Sequence, residues 1–274
     1  MTTSNAERLS DSDSKSLVLA ARLLDVSVVF GQSKETTVTA IDHIDLDIEQ
    51  GAFVSLIGPS GCGKSTLLRV IADLVQPSSG KVEVLGDTPA VARLGRRYGI
   101  AFQQPTLFEW RSVLKNVELP LELSGVSKNE RAEIAHRMLQ LVKLDEFARH
   151  RPSQLSGGMQ QRVAIARALS FEPPILLMDE PFGALDEISR EHLQNELLRI
   201  WRETGTTIVF VTHSIAEAVF LSTKVVVMTR RPGCVHRIID VPLGKVRSDS
   251  IRESSEFFEK VSEVRKALRS EGVL

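Results

Sequence analysis

AFVSLIGPSGCGKST, residues 52–66, passes from a short, mainly apolar run into a glycine-rich turn that ends in Lys64 and Ser65. The run Ala52–Ile57 is too short for a helix and does not alternate, so it reads as a strand buried on both faces of a sheet. Thr66–Leu74 reads as the helix that follows. Between them, Gly58 to Ser65 has the form G-x-x-x-x-G-K-S. Glycines let backbone N–H groups turn inward around phosphate oxygens, and the helix N-terminus adds partial positive charge. Lys64 supplies a mobile cation for β- and γ-phosphates, and the Ser65 hydroxyl can ligate Mg²⁺. A chance glycine-rich turn would lack this strand–turn–helix context. The segment therefore predicts nucleoside triphosphate binding.

Outward from this stretch, Ile100–Phe102, Ile175–Met178, Thr207–Val211 and Val225–Met228 are further short apolar runs. Helical stretches lie between several of them, a pattern that predicts an α/β fold with a mainly parallel sheet. On the N-terminal side, Leu24–Phe30 and Ile41–Ile48 read as two more strands. Residues 105–170 contain the helix-like Lys128–Leu141 and Gln160–Leu169 without a convincing buried strand, which predicts an inserted helical subdomain. From Ile251 onward, Phe257, Val261, Val264 and Leu268 recur at helical spacing, so an amphipathic helix is expected to pack against the main body.

Bulk properties narrow the class. The 274 residues carry 34 Lys+Arg against 35 Asp+Glu, a net charge of −1, unlike the basic surplus of a general nucleic-acid binder. No apolar run approaches the roughly 18–20 residues that span a bilayer. Residues 1–16 are polar, are expected to be disordered, and lack the apolar centre of a secretory signal. Cys62 and Cys234 give no disulfide framework and fit a reducing cytoplasm.

The polar residues after the buried runs mark the expected site, because ligands of parallel sheets bind beyond the carboxyl ends of the strands. Gly58 follows Ile57, Gln103 follows Phe102, Asp179 and Glu180 follow Met178, and His213 follows Thr212. Asp179 is suited to hold Mg²⁺ through water, leaving Glu180 to orient an attacking water. Without the phosphate loop, this acidic pair would read as a helix cap. Leu155-Ser156-Gly157-Gly158-Met159-Gln160-Gln161-Arg162 is a second glycine-rich turn opening a helix. One nucleotide does not need two such turns on one face. A dimer with each nucleotide sandwiched between the phosphate loop of one copy and this turn of the other resolves the excess.

Over roughly residues 18–235 the chain resembles the ATPase subunits of ABC transporters, with LSGGMQQR the most specific element. The resemblance implies a P-loop NTPase (RecA-like) core with an N-terminal antiparallel β portion, an ATPase domain over 17–240, a helical subdomain near 105–170 and a C-terminal extension over 241–274. It implies ATP binding by Gly58, Pro59, Ser60, Gly61, Cys62, Gly63, Lys64, Ser65 and Thr66, with Phe30 as the aromatic on adenine where Tyr is commoner. Ser156, Gly157, Gly158 and Gln160 match the signature, and Asp186 lies in the matching Gly183–Asp186 loop. Glu180, His213 and Gln103 take catalytic roles, and Ser65, Gln103 and Asp179 the Mg²⁺. Gln104 adjoins Gln103, and Gln103 is favoured because it directly follows Ile-Ala-Phe. The remaining five histidines read as surface or packing residues, and Trp110 and Trp201 as core or interface.

PTLFEWRSVLKNVELPLEL, MDEPFGALDEISR and THSIAEAVFLSTKVVVMTRRPG are similar to ATPase subunits of nitrate, sulfonate and taurine importers, and of related pyrimidine-type importers. The resemblance implies a homodimer, a separate integral-membrane permease, an indirectly linked solute-binding protein, and a place on the inner face of the cell membrane. It implies no nucleic acid partner. A soluble ABC ATPase of ribosomes or DNA, a non-hydrolysing switch and an exporter ATPase are the competing classes. The first usually joins two cassettes or inserts a coiled coil, and neither feature is present.

Overall fold

A computed structural model describes residues 18–31 and 37–270; the tail expected over residues 1–16 lies outside them. The elements in chain order are β1 (Leu19–Phe30), β2 (Val38–Glu49), β3 (Phe53–Ile57), α1 (Lys64–Ile71), β4 (Ser79–Val84), α2 (Pro89–Leu94) and β5 (Tyr98–Ala101). Then come α3 (Val113–Leu123), α4 (Lys128–Leu141), α5 (Gly157–Ala168), β6 (Ile175–Asp179), α6 (Glu187–Thr204) and β7 (Thr207–Thr212). The chain continues through α7 (Ile215–Leu221), β8 (Lys224–Met228), β9 (Val235–Asp240) and α8 (Ser255–Ser270).

Two sheets form. β2-β1-β4 is antiparallel, and β5-β6-β7-β3-β8-β9 is parallel except for the antiparallel edge strand β9. The short apolar runs are central strands because both of their faces are covered. On β3, Phe53 and Ile57 enter one core while Val54 and Leu56 enter another, and β6, β7 and β8 alternate in the same way. Each such buried side chain contributes about 1.5–3 kcal/mol relative to exposure. The antiparallel sheet and α1 cover one face, and helices from α3 to α8 cover the other. Phe257, Val261, Val264 and Leu268 of α8 are all buried in this second core.

Between β5 and β6 the described chain is helical, with α3 added to the two helices read from sequence. Phe102, read as the end of a strand, lies just past β5. The strands β4 and β9 are also additions to the sequence reading.

Candidate active site

Because β5, β6, β7 and β3 are parallel neighbours, their carboxyl ends share one edge of the sheet. At the end of β3 the turn needs its glycines: Gly61 and Gly63 have φ of 75° and 101°, in the left-handed region. A Cβ on Gly63 would lie 2.4 Å from Ile41 Cγ2 and 2.8 Å from the Ala40 carbonyl oxygen, so β2 closes over the turn. Lys64 is buried, its Nζ donating to the Gly58 and Pro59 carbonyls at 2.8 and 2.9 Å. No side chain caps α1 at Gly63. That leaves the N-terminal end of α1 suited to an anion. Cys62 is buried, and that burial pushes its thiol pKa up, in keeping with a spacer rather than a nucleophile.

A cavity of about 350 Å³ opens over this turn, lined by Ser60 to Thr66 together with Phe30, Val38, Ala40, Glu180 and Arg231. Phe30 is 45% exposed at its mouth and is no core residue. Gly58 and Pro59 contribute behind the wall, through the carbonyls that hold Lys64. Arg231 was not foreseen from sequence. Its Nε donates to the Gly61 carbonyl at 3.2 Å, and its loop is tied to β2 by reciprocal bonds, Gly233 N to Ala40 O and Asp42 N to Gly233 O, each 3.0 Å. Nothing local marks Arg231; only the return of the loop after β8 brings it here.

Ser65 Oγ donates to Asp179 Oδ1 at 2.7 Å, placing two hard oxygen donors together at the cavity edge. That pair fits Mg²⁺, which takes few protein oxygens and shares the rest of its shell with phosphates and water. Among the described residues no cluster of three or more His, Cys, Asp or Glu could hold a metal by itself. Glu180 follows with φ of 46°, uncommon for a residue with a side chain, and its N–H donates to Val211 O at 3.1 Å. Such strain persists where the surroundings over-determine it, often at functional sites. His213 Nδ1 stands 3.4 Å from Glu180 Oε2. Gln103 packs on the turn after Glu180: a Cβ on Gly183 would be 3.1 Å from Gln103 Nε2, and Gly183 N donates to Glu180 O. Of these, Glu180 lines the cavity and Asp179 bonds the phosphate loop through Ser65, while His213 stands behind Glu180 and Gln103 behind the Gly183 turn, both outside the cavity lining.

The second glycine-rich turn lies elsewhere. None of Ser156, Gly157, Gly158 and Gln160 lines the cavity. Ser156 caps α5, its Oγ accepting from Met159 N at 3.3 Å, and Ser156 and Gly157 are exposed. Gln160 turns inward, its Nε2 donating to Pro152 O and Leu155 O at 3.0 and 3.3 Å, so its amide braces the turn from behind. Its neighbour Gln161, passed over in the sequence, is buried and donates to Phe102 O at 3.1 Å, linking α5 to the residue before Gln103. Asp186 is also outside the cavity lining; it caps α6 at Ser189 N, and that bond holds its carboxyl below the usual range.

The two tryptophans separate. Trp201 is buried against Phe53 and donates to Gly51 O, whereas Trp110 is 71% exposed and stacks on Phe108 at 4.7 Å. Buried Asn116 holds that loop, bonding both the N–H and the carbonyl of Phe108 at 2.8 and 3.1 Å. No helix among the described residues is long and apolar enough to cross a membrane.

Residues 41–183 match the ABC transporter family. An uncharacterized ABC transporter ATP-binding protein of Methanocaldococcus jannaschii is 51% identical, over 85% of this chain and 86% of its own. A taurine import ATP-binding protein of Rhizobium johnstonii is 46% identical over 89% of this chain and 94% of its own. Among solved structures, a dimeric ATP-binding cassette in a post-hydrolysis state with ADP and phosphate is 37% identical, with a TM-score of 0.68, covering 81% of this chain and 98% of that one.

Proposed function

The chain belongs to the ABC transporter family and is an ATPase of the P-loop fold, and from that premise we propose that it powers import of a small sulfonate-type solute through a separate membrane permease. The observation that carries the site assignment is the convergence of Lys64, Ser65, Asp179, Glu180 and His213 at one sheet edge. Lys64 and the N-terminal N–H groups of α1 hold the terminal phosphates, and Phe30 stacks on adenine. Ser65, Asp179 and Gln103 would hold Mg²⁺, which would neutralise phosphate charge. Glu180 polarises the attacking water, and His213 contacts the γ-phosphate.

The exposed Ser156 turn completes the site of a second copy. Two chains then enclose two nucleotides, with Asp186 near the seam, and hydrolysis followed by phosphate loss reopens the pair. The dimeric state of the solved cassette supports this reading. Over residues 17–240 the chain forms the ATPase domain, with its helical subdomain over about 105–170 presenting Phe108 and Trp110 to the permease on the inner face of the membrane. Residues 241–274 form the extension. A solute-binding protein acts on the permease and reaches this subunit only indirectly. The taurine import relative supports uptake as the direction and a sulfonate as the cargo.

Glu180→Gln tests the reading. MgATP binding survives while the chemical step slows by about 10²–10⁴-fold, the usual worth of a positioned base. The closed pair accumulates as an ATP-dependent dimer in size-exclusion chromatography, and adding Ser156→Arg abolishes it. A normal hydrolysis rate would refute the role of Glu180; a slow enzyme that stays monomeric with ATP bound would remove the two-chain site.

A further inference from the structure

The turn that carries His213 is held from an unexpected direction. Ser214 N donates to Thr212 Oγ1 at 3.0 Å, so the Thr212 hydroxyl brackets His213 on both sides. That hydroxyl donates to one oxygen of Glu217, and Gln194 Nε2 donates to the other at 3.0 Å. The Gln194 carbonyl oxygen accepts from Arg252 Nη2 at 2.6 Å. Thr212, Gln194 and Glu217 are buried, and the Arg252 guanidinium lies 3.5 Å over the Phe220 ring of α7. An arginine can only donate and an ionised carboxylate can only accept, so Gln194 has a single orientation that serves both. Donors thus converge on Glu217 from both sides, Arg252 through Gln194 and the His213 turn through Thr212.

Arg252 lies beyond residue 240, in the short 3₁₀ turn before α8, and it does not act alone. Buried Arg247, also in the extension, donates to carbonyls at the end of α7, Val219 O at 3.1 Å and Phe220 O, and to Ser222 O just past it at 2.8 Å. Burial lowers the Arg247 pKa to about 10 and raises that of Glu217, as expected for charges taken from water into this packing. The extension therefore grips the C-terminal end of α7, the helix that follows His213, and reaches its first turn through Gln194. Asp249 adds a tie to α6, its Oδ1 accepting from Asn195 Nδ2 at 2.9 Å.

We propose that the C-terminal extension is a positioning element for hydrolysis, in which Arg252, through Gln194 and Glu217, sets the Thr212–Ser214 turn and hence the place of His213 beside Glu180. The inference rests on the γ-phosphate role of His213. Nucleotide affinity resides in the phosphate loop and is not set by this relay. Displacing the extension slows turnover and leaves ATP bound.

The test uses the full chain with three variants, Arg252→Ala, Gln194→Leu and Arg252→Lys, and His213→Ala as reference. Arg252→Ala and Gln194→Leu each lower kcat by about 10–100-fold, the scale for a small misplacement of a reacting group, with KM for ATP within about twofold. Arg252→Lys recovers part of the loss. In a His213→Ala background, Arg252→Ala causes no further fall, since both act through one group. The imidazole chemical shift of His213 moves in Gln194→Leu, which keeps Arg252 stacked on Phe220 should the alanine variant fold poorly. An unchanged kcat and His213 shift in folded Gln194→Leu overturns the proposal, as does a parallel loss of ATP affinity and melting temperature in both single variants. If His213→Ala itself hydrolyses normally, the γ-phosphate role fails; if it is slow while the relay variants are not, only the relay fails.

Discussion

At the start of α1, Gly61 and Gly63 hold left-handed backbone under a close-packed β2, and no side chain caps the helix. At the start of α5, neither Gly157 nor Gly158 has a positive φ, and Ser156 caps the helix. A Cβ on Gly157 would meet nothing nearer than Leu185 Cδ2 at 3.5 Å, and on Gly158 nothing nearer than Leu193 Cδ1 at 3.6 Å. Glycine is thus required in the first turn by conformation and crowding within the chain. In the second, nothing inside the chain requires it, and the proposed approach of a second copy supplies the reason. Similar residues serve a finished cavity in one region and an unfinished surface in the other.

Substitution separates the two. Gly63→Ala meets both left-handed strain and the Ile41 and Ala40 contacts, and we expect a loss of about 2–6 kcal/mol in stability, with ATP binding lost. Denaturant unfolding and equilibrium dialysis measure both; a variant of native stability would remove the crowding argument. Phe30→Ala, at the cavity mouth, should weaken ATP binding by about 1–3 kcal/mol and leave folding unchanged, if base stacking operates there as in other nucleotide complexes. Isothermal titration with full affinity would take adenine off Phe30. Gly157→Ala should change stability by less than about 1 kcal/mol, in the stabilising direction, because it replaces a helical glycine. A destabilisation matching that of Gly63→Ala would erase the contrast between the turns.

The central strands were legible because burial on both faces leaves a continuous apolar run, as at Ile175–Met178. β4 and β9 were not, for the same physical reason reversed. β4 exposes Ser79, Gly80 and Lys81, and edge strand β9 buries only Ile239. α3 carries Pro120 in its interior, which removes an N–H bond to the preceding turn and breaks the helical pattern in the sequence. At the site, residues adjacent to strand ends were readable from order alone. Arg231 and Arg252 were not, since each depends on a later segment folding back over an earlier one. Gln160 was readable as part of the signature turn but not in its inward-facing orientation, which the carbonyls of Pro152 and Leu155 determine.

The parallel sheet also divides the interior into two separate cores, one with α1 and the antiparallel sheet, the other with α3 to α8. Such a partition acts on inheritance as well as on stability. Changes behind α3 and its exposed Trp110 loop repack one core, while the side chains that support the phosphate loop belong to the other. With the proposed permease contact on the first side, a lineage can exchange the partner it serves by drift there and keep the same nucleotide machinery on the other.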